Sequence, residues 1–103
     1  NPEVIAVNQE PRGRQARRVA TDGAGGEVWA KEMADGSRAV GLFNRSEDAR
    51  TLCADLRAAG CSGACTVRDL WRQKDLGEYN GPFEAEVAPH GVVLVRAFQW
   101  ARA

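Results

Sequence analysis

Apolar positions along this chain come in short blocks separated by polar turns. Residues 39–43, Ala-Val-Gly-Leu-Phe, are apolar on both alternating faces, and residues 92–95 repeat the pattern. That is the signature of a strand covered on both sides. Residues 51–56, 66–71 and 83–87 are further short extended segments. Turn signals fall between them at a spacing of about 10 to 15 residues, at 22–26, 35–36, 46–48, 60–63, 73–81 and 89–91. Asp35-Gly36 is the sharpest of these, because both central positions of a two-residue type I′ turn need positive φ and Asp-Gly tolerates it. It predicts a hairpin joining residues 27–34 to 37–45. Strands of this length and spacing, with no long amphipathic helix after Pro11, predict an all-β chain. The expected fold is an antiparallel β-sandwich of about eight strands, Greek-key type, behind a short N-terminal helical or connector segment.

That N-terminal segment has its own punctuation. Asn1 can cap free amides, Pro2 suits a first helical position, and Glu3 complements the positive helix end. Val4, Ile5, Ala6 and Val7 continue the helix and Pro11 stops it. Arg12, Arg14, Arg17 and Arg18 then mark a connector, which places the composition boundary at residues 1–18 against 19–103.

Length and charge remove whole classes of function. A chain of 103 residues makes one core and buries roughly two-thirds of its unfolded surface. It is far too short for a closed (β/α)8 barrel, and no glycine-rich phosphate fingerprint is present. Fourteen Lys and Arg balance fourteen Asp and Glu, so no global field favours nucleic acid or an anionic membrane. No apolar run approaches a membrane span. Asn1 opens without the basic start and apolar stretch of a secretory leader, so a secreted protein is expected here in mature form.

Candidate chemistry is sparse. His90, the only histidine, stands in Pro89-His90-Gly91 and reads as a turn residue before a strand rather than the centre of a triad. Asp69, in Val67-Arg68-Asp69-Leu70-Trp71, is the most interesting acid for glycoside chemistry, though an Asp paired with an Arg is the plainer explanation. The Arg12, Arg14, Arg17 and Arg18 cluster could grip phosphate, but no aromatic interleaves it for base stacking. Trp29, Trp71, Tyr79 and Trp100 could form a sugar-stacking platform, or fill a sandwich core or interface. Cys53, Cys61 and Cys65 lack the paired spacing of a zinc site. A Cys61–Cys65 bridge or a Cys53–Cys65 bridge is open, and either implies an oxidising compartment. No metal or other cofactor is expected.

Several blocks in the right order resemble a known family. Residues 1–11 (Asn-Pro-Glu-Val-Ile-Ala-Val-Asn-Gln-Glu-Pro), Gly26-Glu27-Val28-Trp29-Ala30-Lys31, residues 36–45, Thr66-Val67-Arg68-Asp69-Leu70-Trp71, Lys74-Asp75-Leu76-Gly77 and Ala88-Pro89-His90-Gly91-Val92-Val93-Leu94 are similar to the C-terminal part of α-galactosidases of glycoside hydrolase family 27, the melibiase group. The resemblance implies a secreted two-domain enzyme whose (β/α)8 barrel removes terminal α-linked galactose with retention. An antiparallel sandwich follows that barrel. Residues 1–18 would then be the end of the barrel and the connector, and residues 19–103 the sandwich. The family's two catalytic aspartates lie upstream, so no catalytic residue maps here and the chain alone should be inert. Its expected partner is the barrel of the same polypeptide, with galactosides a further possibility through the exposed aromatics. The resemblance also favours a Cys61–Cys65 bridge that leaves Cys53 free.

Overall fold

The computed structural model describes residues 2–4, 16–33, 35–61 and 63–99. Residues 2–4 form a turn of helix, which agrees with the Asn1-Pro2-Glu3 start; the expected continuation through Val7 lies outside the described residues. Eight strands follow among the described residues: β1 (Arg17–Thr21), β2 (Gly26–Glu32), β3 (Arg38–Asn44), β4 (Arg50–Asp55), β5 (Cys65–Asp69), β6 (Lys74–Tyr79), β7 (Pro82–Val87) and β8 (Val92–Gln99). They make a six-stranded sheet in the order β1-β2-β3-β8-β5-β6 and a two-stranded sheet of β4 and β7, with every pairing antiparallel. The chain crosses between sheets after β3, β4, β6 and β7, which gives the expected Greek-key character.

The two runs that are apolar on both faces become β3 and β8, the central pair of the large sheet. Their alternating side chains divide the molecule. Val28, Ala30, Val40, Leu42, Val67, Val95 and Ala97 face the small sheet and pack with Leu52, Ala54, Phe83 and Val87 into one buried cluster. Phe83 is the largest fully buried side chain, and Tyr79 meets it edge to face at 5.0 Å. A second, smaller cluster of Met33, Ala39 and Leu70 lies on the other side of the large sheet, with Val4 and Leu94 packed against it.

Two local expectations change. The β2–β3 connection is not a two-residue type I′ turn. Gly36 donates its amide to the Met33 carbonyl and takes a positive φ, +87°; Asp35 does not. Asp35 instead turns its carboxylate back, and Oδ1 accepts from the Ser37 amide at 2.9 Å and the Ser37 hydroxyl at 2.6 Å. The carboxylate acts as a cap of this wider turn, with Arg96 on Oδ2 at 3.0 Å. The second change is at residues 73–81, read as a turn, where the structure places β6.

One polar residue ties the layers together. Asn44, at the end of β3, is 1 % exposed. Its Nδ2 donates to the carbonyls of Asp48 (2.8 Å) and Val87 (2.9 Å), and its Oδ1 accepts from the Ser46 amide (3.0 Å) and hydroxyl (2.6 Å). All four positions of the amide are used, so its burial carries no unsatisfied group.

Candidate functional site

Most of the residues singled out from the sequence fall among the described ones. Asp69 ends β5, and its Oδ1 accepts from the amides of Trp71 (2.9 Å) and Arg72 (3.0 Å). It caps the β5–β6 turn. His90 takes φ +56° in the turn that Gly91 closes by donating to the Ala88 carbonyl, and its Nε2 lies 3.1 Å from Glu47 at the surface. Arg17 and Arg18 belong to β1, where the strand starts inside the arginine-rich stretch; Arg12 and Arg14 lie outside the described residues. Among the described residues, no group of three His, Cys, Asp or Glu side chains is arranged to hold a metal ion. No helix among them is long and apolar enough to cross a membrane.

The described aromatics lie in different places. Tyr79 packs on the inner cluster, whereas Trp29 alternates with Val28 and Ala30 and so faces the other side of the large sheet. Trp71 sits in the β5–β6 turn, 51 % exposed. Trp100 lies outside the described residues. The cysteines divide in the same way. Cys61 and Cys65 are buried thiols in the inner cluster, close enough to interact. Burial, and then the neighbouring Cys65, push the Cys61 thiol up to about 12. Cys53 points outward from β4 beside Glu84, so a Cys53–Cys65 bridge would have to cross the small sheet.

The most developed surface is the outer face of the large sheet, which sequence reasoning did not single out as a site. Its strip of half-buried Trp29, Phe43, Val92 and Leu94 with exposed Phe98 lies between two charged groups. At one end Glu27 accepts from the Trp29 indole at 3.0 Å and meets Arg45 at 3.3 Å, while Arg45 stands over the Phe43 ring at 5.9 Å. The indole hydrogen bond, with Arg45 and Arg18 assisting, holds the Glu27 carboxyl below its ordinary range. At the other end Arg68 is a hub. Its Nε and Nη2 hold the two oxygens of Glu3 at 2.6 and 3.2 Å, its Nη1 reaches Asp75 at 3.0 Å, and Nη2 also donates to the Gln73 carbonyl at 2.9 Å. Hydrogen bonding to Arg68 lowers the Glu3 pKa, and the pairing with Glu3 and Asp75 makes the guanidinium still harder to deprotonate. Glu3 comes from a segment that precedes β1, so the pair fastens the incoming chain to the sheet. The periodicity of β3 and β8 announced a covered outer face; nothing in the sequence named Glu3 as the partner of Arg68.

The half-buried outer face thus holds residues that precede the first strand of the sandwich. The chain belongs to the family of alpha galactosidase C-terminal beta sandwich domains, which matches residues 23–97. It is 37 % identical over 95 residues to alpha-galactosidase 3 of Arabidopsis thaliana and 41 % identical over 92 residues to the alpha-galactosidase of Oryza sativa subsp. japonica. Each alignment takes in 87 % of this chain and 22 % of the relative. Among solved structures, alpha-galactosidase I of Mortierella vinacea superposes with a TM-score of 0.89 at 30 % identity, over 100 % of this chain and 28 % of that one. A family 27 β-L-arabinopyranosidase of Geobacillus stearothermophilus gives 0.89 at 31 % identity, over 100 % and 23 %. The chain therefore spans about a quarter of the length of the proteins it matches.

Proposed function

We propose that this chain is the non-catalytic C-terminal domain of a secreted α-galactosidase-like enzyme, in which a preceding (β/α)8 barrel removes terminal α-linked galactose with retention. The observation that carries this reading is the family match over residues 23–97 in a chain that spans only 22 % of its α-galactosidase relatives. Residues 1–18 are assigned to the end of the barrel and the connector, and residues 19–103 to the sandwich, with the last two connector residues, Arg17 and Arg18, already pairing in β1. The docked turn at residues 2–4 supports that division. Asp69 is engaged by turn amides, which supports a structural rather than a catalytic role for it. A Cys61–Cys65 bridge belongs to the same proposal, since the two thiols are buried neighbours and a secreted protein folds where such bridges persist.

The test is an NMR titration of the 15N-labelled chain with melibiose, following the sugar's anomeric signals in the same tube. The expected result is neither cleavage nor amide shifts, with hydrolysis recovered in the longer polypeptide that includes the barrel. Cleavage by the 103-residue chain would overturn the assignment. A second reading, a galactoside-binding accessory site, is favoured by the exposure of the Trp71 ring. It predicts amide shifts confined to the β5–β6 turn at millimolar sugar, an affinity of about 4 kcal/mol.

A further inference from the structure

Three steps of the chain place an Asp or Asn before glycine: Asp22-Gly23, Asp35-Gly36 and Asn80-Gly81. Such a step can close on itself, because the nitrogen of a residue without a side chain reaches the preceding Cγ with little hindrance and forms a five-membered succinimide. The fold treats the three differently. Asp22 Oδ1 accepts from the Ala24 and Gly26 amides at 2.8 and 2.9 Å, and its Oδ2 pairs with Arg50. Asp35 is capped by Ser37 and Arg96. Those hydrogen bonds hold both carboxyls below their ordinary range, and an ionised carboxylate resists nucleophilic attack. Asn80 has no charge to protect it. It is exposed, and its Oδ1 accepts from Arg57 Nη2 at 3.4 Å, near the long limit of a hydrogen bond. Asn44 is its opposite: 1 % exposed, held by four hydrogen bonds and followed by Arg45, whose side chain hinders the same ring closure.

We propose that Asn80 is a site of spontaneous deamidation and that its isoaspartate product loosens the crossing from β6 to β7. The Gly81 nitrogen attacks Asn80 Cγ, its proton passes to hydroxide or water, and the Cγ–Nδ2 bond breaks with release of ammonia. Water then opens the succinimide at one carbonyl or the other. One opening gives aspartate; the other gives isoaspartate, with one more carbon in the main chain.

The two products differ in what they do to the turn. The Gly81 carbonyl accepts from the Leu56 amide at 2.7 Å, so this turn is tied to the end of β4. Tyr79 and Phe83 flank it and meet edge to face at 5.0 Å, with Phe83 fully buried. An added main-chain carbon between Tyr79 and Phe83 shifts one against the other. Aspartate keeps the main chain unchanged and turns the Arg57 contact into a charge-assisted one.

The test is to age the folded 103-residue chain in mildly alkaline buffer, digest it with trypsin and weigh the peptides. Peptide 75–96 contains Asn80 as its sole side-chain amide, and peptide 39–45 contains Asn44 as its own. Peptide 75–96 should convert from amide to acid many-fold faster than 39–45. Isoaspartyl methyltransferase should label it ahead of peptides 19–31 and 32–38, which carry the two Asp-Gly steps. Asn80→Gln, one methylene too long for the five-membered ring, should leave 75–96 unconverted. The isoaspartate fraction, separated by anion exchange, should unfold at lower urea than the parent, whereas Asn80→Asp should unfold at an equal or higher midpoint. A folded chain whose 75–96 stays unconverted while the urea-unfolded chain reacts would overturn the site, as would labelling of 19–31 or 32–38 first. An isoaspartate fraction with the parent midpoint would overturn the effect on the crossing.

Discussion

At the scale of single residues, the side chains that hold this sandwich together are those whose polar atoms are fully matched. Asn44 is the clearest case. It joins the end of β3 to the loop at 45–49 and to β7 of the other sheet through four hydrogen bonds. Asn44→Ala removes these and leaves the Val87 and Asp48 carbonyls without that donor in a low-dielectric setting. At about 1 kcal/mol for each of the four net hydrogen bonds, the loss should be about 4 kcal/mol, read as a lower urea midpoint at unchanged slope. His90→Ala, at an exposed turn, should move the midpoint far less. Asn44 was not legible in the sequence because Asn-Arg-Ser reads as an ordinary polar turn. Its importance depends on Val87, 43 residues away, and no local pattern reports that contact. Asp69 was legible as notable, but its chemistry is that of a cap.

At the scale of elements, the strands visible in advance are the ones that bury a patterned face. β3 and β8 stood out because both their faces are apolar, and β4, β5 and β7 because alternate residues are buried. β1 and β6 were hidden for the converse reason. They are the two edges of the large sheet, mostly exposed, and their sequences Arg-Arg-Val-Ala-Thr and Lys-Asp-Leu-Gly-Glu-Tyr look like connectors. Pairing with an already formed neighbour makes them strands, a tertiary effect that overrides weak local preference. The loop from β4 to β5 carries a prediction of its own. Closing Cys61 to Cys65 would constrain a five-residue loop and stabilise the fold by about 2 kcal/mol by chain entropy. Oxidised chain should therefore show the loss of two hydrogens by mass spectrometry and unfold at higher urea than Cys61→Ser. In the reduced chain, Cys53 should be alkylated well before Cys61, because the thiolate is the reactive form and burial pushes Cys61 up to about 12. Equal reaction of both in the folded state would contradict this packing.

At the scale of the whole molecule, balanced charge conceals an asymmetry in where the charges work. The carboxyls of Glu3, Asp22, Glu27 and Asp35 are all held below their ordinary range, chiefly by hydrogen bonds: from Arg68 to Glu3, from the Ala24 and Gly26 amides to Asp22, from the Trp29 indole to Glu27, and from Ser37 to Asp35. A carboxyl with a lowered folded pKa binds fewer protons in the folded than in the unfolded state. Its contribution is therefore complete above the unfolded value, about 4, and is lost as pH falls through the lower folded value. Stability should be nearly flat from neutral pH down to that range and then drop. Fourteen Lys and Arg add mutual repulsion as the carboxylates are neutralised, which acts in the same direction. The two causes separate by salt and by mutation. Salt screens the repulsion and should recover part of the loss, whereas Asp22→Asn removes one specific partner and should flatten the acid limb while lowering stability at neutral pH. Since Glu3, Glu27 and Asp35 all serve the outer face or its rim, acid should loosen that face before it opens the inner cluster. Hydrogen exchange near pH 3 should then show faster exchange at β2 and the β2–β3 loop than at the β4–β7 pairing. Uniform exchange across both sheets would mean that the two faces unfold as one.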